Sequence, residues 1–268
     1  MKQKKNSLLW EIKSELYPSN TYLFGTMHVK SNRVFSAFDQ ISKYIASCDS
    51  FCVEIDLVDA QSTAMQNALL AGPDQSLTNI LSQKEYTKLA SIFQSLGVLD
   101  IHPFQKLRPM HLINLLSSLL MKEDTHEILD LSLYRYAKGR GMRTFGIETQ
   151  KEHLTILNNM DRDAEVKNLK RIIRNFPAFA KQHAKLLDYY TQGRIDKLYL
   201  HGKKSLGKWR KVLLKDRNYI ISSRLHDIAK QEAVFCAIGA GHLYGKYGVL
   251  RLLKLNGATI RPISLNYF

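Results

Sequence analysis

Four short apolar runs, two near the chain ends and two in its first and middle thirds, punctuate long stretches of helical periodicity. Leu8 to Lys13 and Thr21 to Thr26 read as strands, and the turn-rich Tyr17-Pro18-Ser19-Asn20 between them predicts a hairpin. Phe35, Phe38, Ile41 and Ile45 recur at helical spacing, predicting a helix over 35–46, followed by a strand ending at Glu54. From Val58 to Lys138 the pattern is helical almost throughout. Ser82-Gln83-Lys84-Glu85 resembles a capping box, breaks are expected at Gly97, Pro103 and Pro109, and His111 to Met121 reads as an apolar helix. Asp130 to Ala137 predicts another helix, stopped by Gly139-Arg140-Gly141. After a strand reaching Glu148, residues 150–230 are again helical, interrupted at Pro177 and Gly193. Val234 to Gly239 then predicts a strand, Gly248 to Asn256 a helix, and Thr259 to Leu265 the last strand. The class is α/β: a central mixed sheet built from both chain ends plus a middle strand. One domain over 1–268 is expected, with helical excursions at about 58–138 and 150–230.

The ends of these runs carry the chemistry. Tyr22-Leu23-Phe24 leads into Gly25-Thr26-Met27-His28, and Val234 to Ile238 leads into Gly239-Ala240-Gly241-His242, so a Gly-x-x-His spacing occurs twice. Ser50 to Val53 leads into Glu54, and Arg143 to Ile147 into Glu148. Open α/β sheets place ligands at the carboxyl ends of their strands, and glutamate is depleted within strands. Any one of the four could be a surface residue at a strand end. Together, His28, Glu54, Glu148 and His242 point to one shared polar site.

Composition narrows the setting. A chain of 268 residues with 45% hydrophobic content can bury a large core, and no run approaches the length of a membrane-spanning helix. The basic start at Met1 holds too short an apolar stretch for a signal peptide. The chain as written is expected in the cytoplasm, and exported if a leader has been removed. Cys48, Cys52 and Cys236 form no disulfide framework and are expected to act as small hydrophobes. A net charge of +15 favours anionic partners. The excess peaks over 201–217, which reads as a solvated helix face with an inward apolar side, or as a basic contact with an anionic surface. No nucleic-acid-binding motif is present, so nucleic acid is not an expected partner.

Several segments resemble the TraB/GumN family: Leu9-Trp10-Glu11-Ile12, Tyr22 to Val29, Glu54-Ile55-Asp56, Gly146 to Leu154, Arg217-Asn218, and Ile238 to Leu243 followed by Gly248-Val249-Leu250. The resemblance runs through nearly the whole chain in order. It implies kinship with bacterial GumN-like and pheromone-shutdown proteins and with the Tiki branch of metal-dependent proteases. That branch uses manganese or cobalt to clip secreted Wnt proteins. More distantly it implies the fold of erythromycin esterases and haem-associated ChaN proteins.

The expectation is a metal-dependent hydrolase acting on a peptide or protein substrate. His28, Glu54 and His242 would be ligands to a divalent ion, manganese or cobalt by resemblance, with zinc suited to the same donors. Glu148 would be the general base, although the two glutamates are interchangeable in the sequence. Arg217 would stabilise an oxyanion or pair with a site carboxylate. Asp56 and Glu152 are expected to support the site, and the remaining histidines, His153 among them, to stand outside it. Two alternatives stay open: a metal-independent esterase-like hydrolase, and a non-catalytic haem- or partner-binding protein.

Overall fold

The architecture comes from a computed structural model that describes residues 6–72, 74–121 and 127–267, apart from the side chains of 204, 205 and 208. Strands β1 (Leu9–Lys13), β2 (Thr21–Thr26), β3 (Ser50–Val53), β4 (Arg143–Gly146), β5 (Val234–Gly239) and β6 (Thr259–Ile263) form one mixed sheet in the order β4-β3-β5-β2-β1-β6. The predicted hairpin is present, with Trp10 opposite Leu23. β4, β3, β5 and β2 are mutually parallel, so their carboxyl ends share one edge. β1 runs against both β2 and β6.

The central strands are buried along their whole length, as expected of a parallel block covered on both faces. Phe51 on β3 stacks on Phe235 of β5 at 5.8 Å, and Phe24 of β2 packs on the same ring. Cys52 and Cys236 face each other in register as fully buried free thiols, which fits their reading as small hydrophobes.

The predicted helix over 35–46 is two helices, Asn32–Phe35 and Phe38–Ile45. Its apolar spacing survives the break because Val34, Ile41 and Ile45 all reach the same core. Pro109 does not break a helix. It sits in the first turn of Pro109–Leu120, where its missing N–H is harmless. The capping box at Ser82 and Glu85 is formed as expected. Strand periodicity puts Asp56 on the same face as Glu54, but β3 ends at Val53. The Asp56 carboxylate instead caps the helix Leu57–Ala60 through the Val58 N–H and accepts from Tyr134. The basic residues 1–5 and His126 lie outside the described residues. Among the described residues no helix is long and apolar enough to cross a membrane.

The two helical excursions merge into one layer. Leu77, Leu89, Phe93 and Leu112 from the first share a core with Leu169 and Ile173 from the second. A fully buried ion pair locks this layer: the Arg108 guanidinium donates to the Glu165 carboxylate and to the Leu157 carbonyl at 2.9 Å. A second clamp ties the helix Gln150–Asn158 to Arg217–Ala229. Arg224 donates to both oxygens of Glu152 at 2.8 Å, and Glu152 also accepts the Thr149 N–H.

Each clamp makes a testable claim on stability. Arg108→Met leaves the Glu165 charge buried and alone, so it should cost about 3–5 kcal/mol in urea unfolding, while Arg108→Met with Glu165→Leu should recover most of that. The Arg224 hydrogen bonds and the Thr149 cap pull Glu152 down to about 2, below the unfolded value. A depressed carboxylate contributes stability that is complete above its unfolded pKa of about 4.3 and is lost as pH falls towards about 2. Glu152→Gln should therefore cost about 1 kcal/mol near neutral pH, with a gap from wild type that closes under acid. A gap independent of pH would refute the ionic origin of that stability.

Candidate metal centre

The parallel block brings the four strand-end residues to one edge. β2 and β5 are neighbours with Thr26 opposite Gly239, so the chain segments leading to His28 and His242 depart side by side. β3 and β4 are neighbours with Val53 opposite Gly146, and their ladder continues one step through Glu148 N–H to Glu54 O at 2.9 Å. That continuation requires glycine at 146, since a Cβ there would lie 2.5 Å from the Asp56 nitrogen.

Arg217, the first residue of the helix Arg217–Ala229, spans the two carboxylates. Its Nε donates to Glu148 Oε1 at 2.8 Å, and its Nη2 donates at 2.5 Å to both Glu148 Oε2 and Glu54 Oε2. Glu148 is sealed from solvent, while Glu54 keeps 20% of its side chain exposed. Burial alone would raise the Glu54 pKa, but Arg217 and the Gly239 N–H, 2.6 Å from Oε1, hold it well below the usual carboxylate range. Burial disfavours the charged guanidinium in turn, yet the paired carboxylates outweigh it and keep it charged. Of the two roles expected for Arg217, the pairing with site carboxylates is the one its geometry displays.

His242 lies in the short helical turn Ala240–His242 and is buried. Asn218 fixes it. The Asn218 amide nitrogen donates to the carbonyls of Tyr247 at 2.7 Å and of His242 at 3.3 Å, so its Oδ1 must be the atom 2.5 Å from His242 Nδ1. Nδ1 therefore carries the proton and Nε2 the lone pair. Burial lowers the ring's pKa to about 4, which keeps it neutral. That lone pair faces Glu54 Oε1 at 3.7 Å. Two acceptors thus confront each other across a gap that a Cβ at Gly239 would crowd, coming 3.1 Å from Oε1 and 3.7 Å from the imidazole.

His28 stands at the outer end of the site with its side chain 71% exposed. Its Nδ1 is 3.1 Å from Asp130 Oδ2, and Asp130, supported by the Glu54 charge, raises its pKa to about 9. His153, which the sequence leaves outside the site, belongs to it. Its Nδ1 is buried without a hydrogen-bond partner, 3.9 Å from Glu148 Oε2. Glu54, Glu148 and His153 each offer a ligand atom within 4.8 Å of one another. The one signal for His153 in the sequence is its position just beyond Glu148 in the segment Gly146 to Leu154. Glu152 braces the site from behind through Arg224, which also donates to the carbonyl of Ile147 beside Glu148.

This donor set fits a divalent cation. Two carboxylates and one guanidinium leave one net negative charge at the edge, beside imidazoles that burial biases toward neutrality. Glu54 Oε1 and His242 Nε2 are close enough to share an ion held about 2.0–2.2 Å from each.

The basic stretch over 201–217 has the inward apolar side and solvated basic face of the first reading. Trp209 and Leu213 pack inward against Met65, Leu157 and Met160, while Lys203, Arg210 and Lys211 are exposed. The side chains of Lys204 and Lys208 lie outside the described residues.

Comparison with known proteins agrees with the geometry in kind. The chain is 22% identical to a metalloprotease TIKI homolog of Amphimedon queenslandica, over 97% of its own length and 62% of the relative's. It is 21% identical to metalloprotease TIKI1 of Danio rerio over 95% of its length and 63% of the relative's, and 23% identical to metalloprotease TIKI1 of Xenopus tropicalis over 95% and 61%. It therefore spans about three-fifths of the length of these curated relatives. No solved structure gives a significant match. The TraB/PrgY/gumN profile matches residues 8–262, from the first strand to the last, and the chain belongs to the TraB/PrgY/gumN family.

Proposed function

We propose that this protein is a metal-dependent hydrolase acting on peptides, with Glu54, His242 and His28 holding a divalent ion. The observation that carries the reading is the approach of His242 Nε2, left unprotonated because Asn218 holds the ring's proton at Nδ1, to within 3.7 Å of Glu54 Oε1. A cation between them removes the repulsion. The metalloprotease names of the relatives support the choice of ion-assisted hydrolysis over other chemistries. Manganese, cobalt and zinc all suit this mixture of carboxylate and imidazole donors.

When bound, such an ion acidifies water by several pK units and polarises the carbonyl it meets. The chain's own residues do the rest. Arg217 donates to both carboxylates and fixes their separation. Glu148, fully enclosed, is poorly placed to meet water directly, and the expected base role passes to a pair. His153, partly exposed, takes the proton, and Glu148 stabilises the resulting imidazolium. Their 3.9 Å separation exceeds a hydrogen bond, and contacts of this kind tighten when substrate binds. The exposed basic residues Lys203, Arg210 and Lys211 would favour an acidic substrate or surface.

Elemental analysis and peptide cleavage test this together. The purified protein should bind manganese or cobalt, lose peptidase activity to a chelator, and regain it when the ion is restored. His242→Ala should lower kcat/KM by more than about 100-fold together with metal content. His153→Ala should lower kcat while leaving the ion bound. Hydrolysis that survives chelation in protein without metal would instead establish the metal-free, esterase-like alternative.

A further inference from the structure

Each of the two Gly-x-x-His imidazoles meets a side-chain oxygen at Nδ1, from unrelated parts of the chain, His242 through a hydrogen bond and His28 through a charge contact. Asn218 engages His242 at Nδ1, and Asp130 approaches His28 at Nδ1. Asp130 belongs to the first turn of the helix Leu129–Gly139, at the end of the first helical excursion and far in sequence from any strand-end residue of the site. Its side chain is only 16% exposed. Oδ2 is sealed from solvent and makes no hydrogen bond among the described residues, with His28 Nδ1 standing 3.1 Å away. A buried carboxylate oxygen without a donor is costly, and here it lies beside one nitrogen of a largely exposed ring, close enough to bond it after a small rotation of that ring.

We infer that Asp130 is a positioning residue for the proposed ion: it fixes His28 through Nδ1, so that Nε2 is the nitrogen presented to the metal. The inference rests on the metal reading of the same site. Carboxylate–histidine–metal arrangements work in this manner: the outer carboxylate selects the tautomer, restrains the ring and strengthens the nitrogen that coordinates. His28 needs such restraint more than His242 does, because no packed core holds its ring in place. The anionic acceptor at His28 and the neutral one at His242 also differ in kind. His242 is enclosed beside the Glu54–Arg217–Glu148 cluster, where a further buried charge would be unfavourable, whereas the exposed His28 tolerates one.

The structural alternative is that Asp130 merely stabilises the start of its helix, as acids in a first turn do. Calorimetric titration of metal-free protein with manganese or cobalt separates the two. Wild type, His28→Ala, Asp130→Ala, Asp130→Asn and the double variant His28→Ala/Asp130→Ala are compared. We expect Asp130→Ala to weaken ion binding about 10- to 100-fold, and Asp130→Asn, which keeps an acceptor, to weaken it less. Removing Asp130 should have no further effect once His28 is gone. Equal losses with and without His28 would assign Asp130 to helix stability and overturn the inference. So would unchanged affinity in Asp130→Ala when His28→Ala binds weakly. If wild type binds neither ion, the metal reading itself fails and takes this inference with it; an ion bound equally by wild type and His28→Ala removes His28 from the site.

Discussion

A guanidinium held between two carboxylates in a nearly dry setting is the constraint on which the rest of the site is built. Glu54 and Glu148 arrive on adjacent parallel strands whose backbones stay hydrogen-bonded beyond the strand ends. Two ionised carboxylates that close would repel strongly with so little water between them. Arg217 makes their proximity stable, and its planar fork reaches both at once, which a lysine could not reproduce. The arrangement undercompensates by one charge. The negative remainder lies beside the imidazoles of His153 and His242.

How the chain turns Arg217 and Asn218 to different partners is a matter of backbone. Consecutive helical residues diverge by about 100°, so Arg217 can meet the glutamates while Asn218 meets His242. The segment Lys211–Asp216 directly before them is a π-helix, a wider turn that recurs at functional sites because it shifts the register of the next helical turn. Nothing in the composition of Lys-Val-Leu-Leu-Lys-Asp distinguishes it from an ordinary helix.

The strands and their terminal residues are legible in the sequence because each is a short apolar run that stops at glycine or at a charge. The order of the strands is not, since it depends on crossovers through helices whose packing partners lie far away in sequence. That order is what brings the segments leading to His28 and His242 side by side and sets Glu54 beside Glu148. Local readings fail where a tertiary contact outweighs them. Asp56 becomes a cap because β3 ends early, and the helix over 35–46 breaks because both of its pieces can still reach the core. His153 and Asp130 are hidden for a common reason. Each sits on a helix whose periodicity identifies a buried face without identifying what that face meets.

The helical layer thus has a closer relation to the chemistry than a cleft wall would. The first excursion supplies Asp130, and the second supplies His153, Arg217 and Asn218. The sheet edge alone supplies two imidazoles and two carboxylates with nothing to orient the former or neutralise the latter. The helices that carry Asp130, Arg217 and Asn218 pack on the sheet's own core through Leu129, Leu133, Ile221 and Leu225. On the proposed reading, the sheet would deliver the ligands and the helices packed on it would orient them.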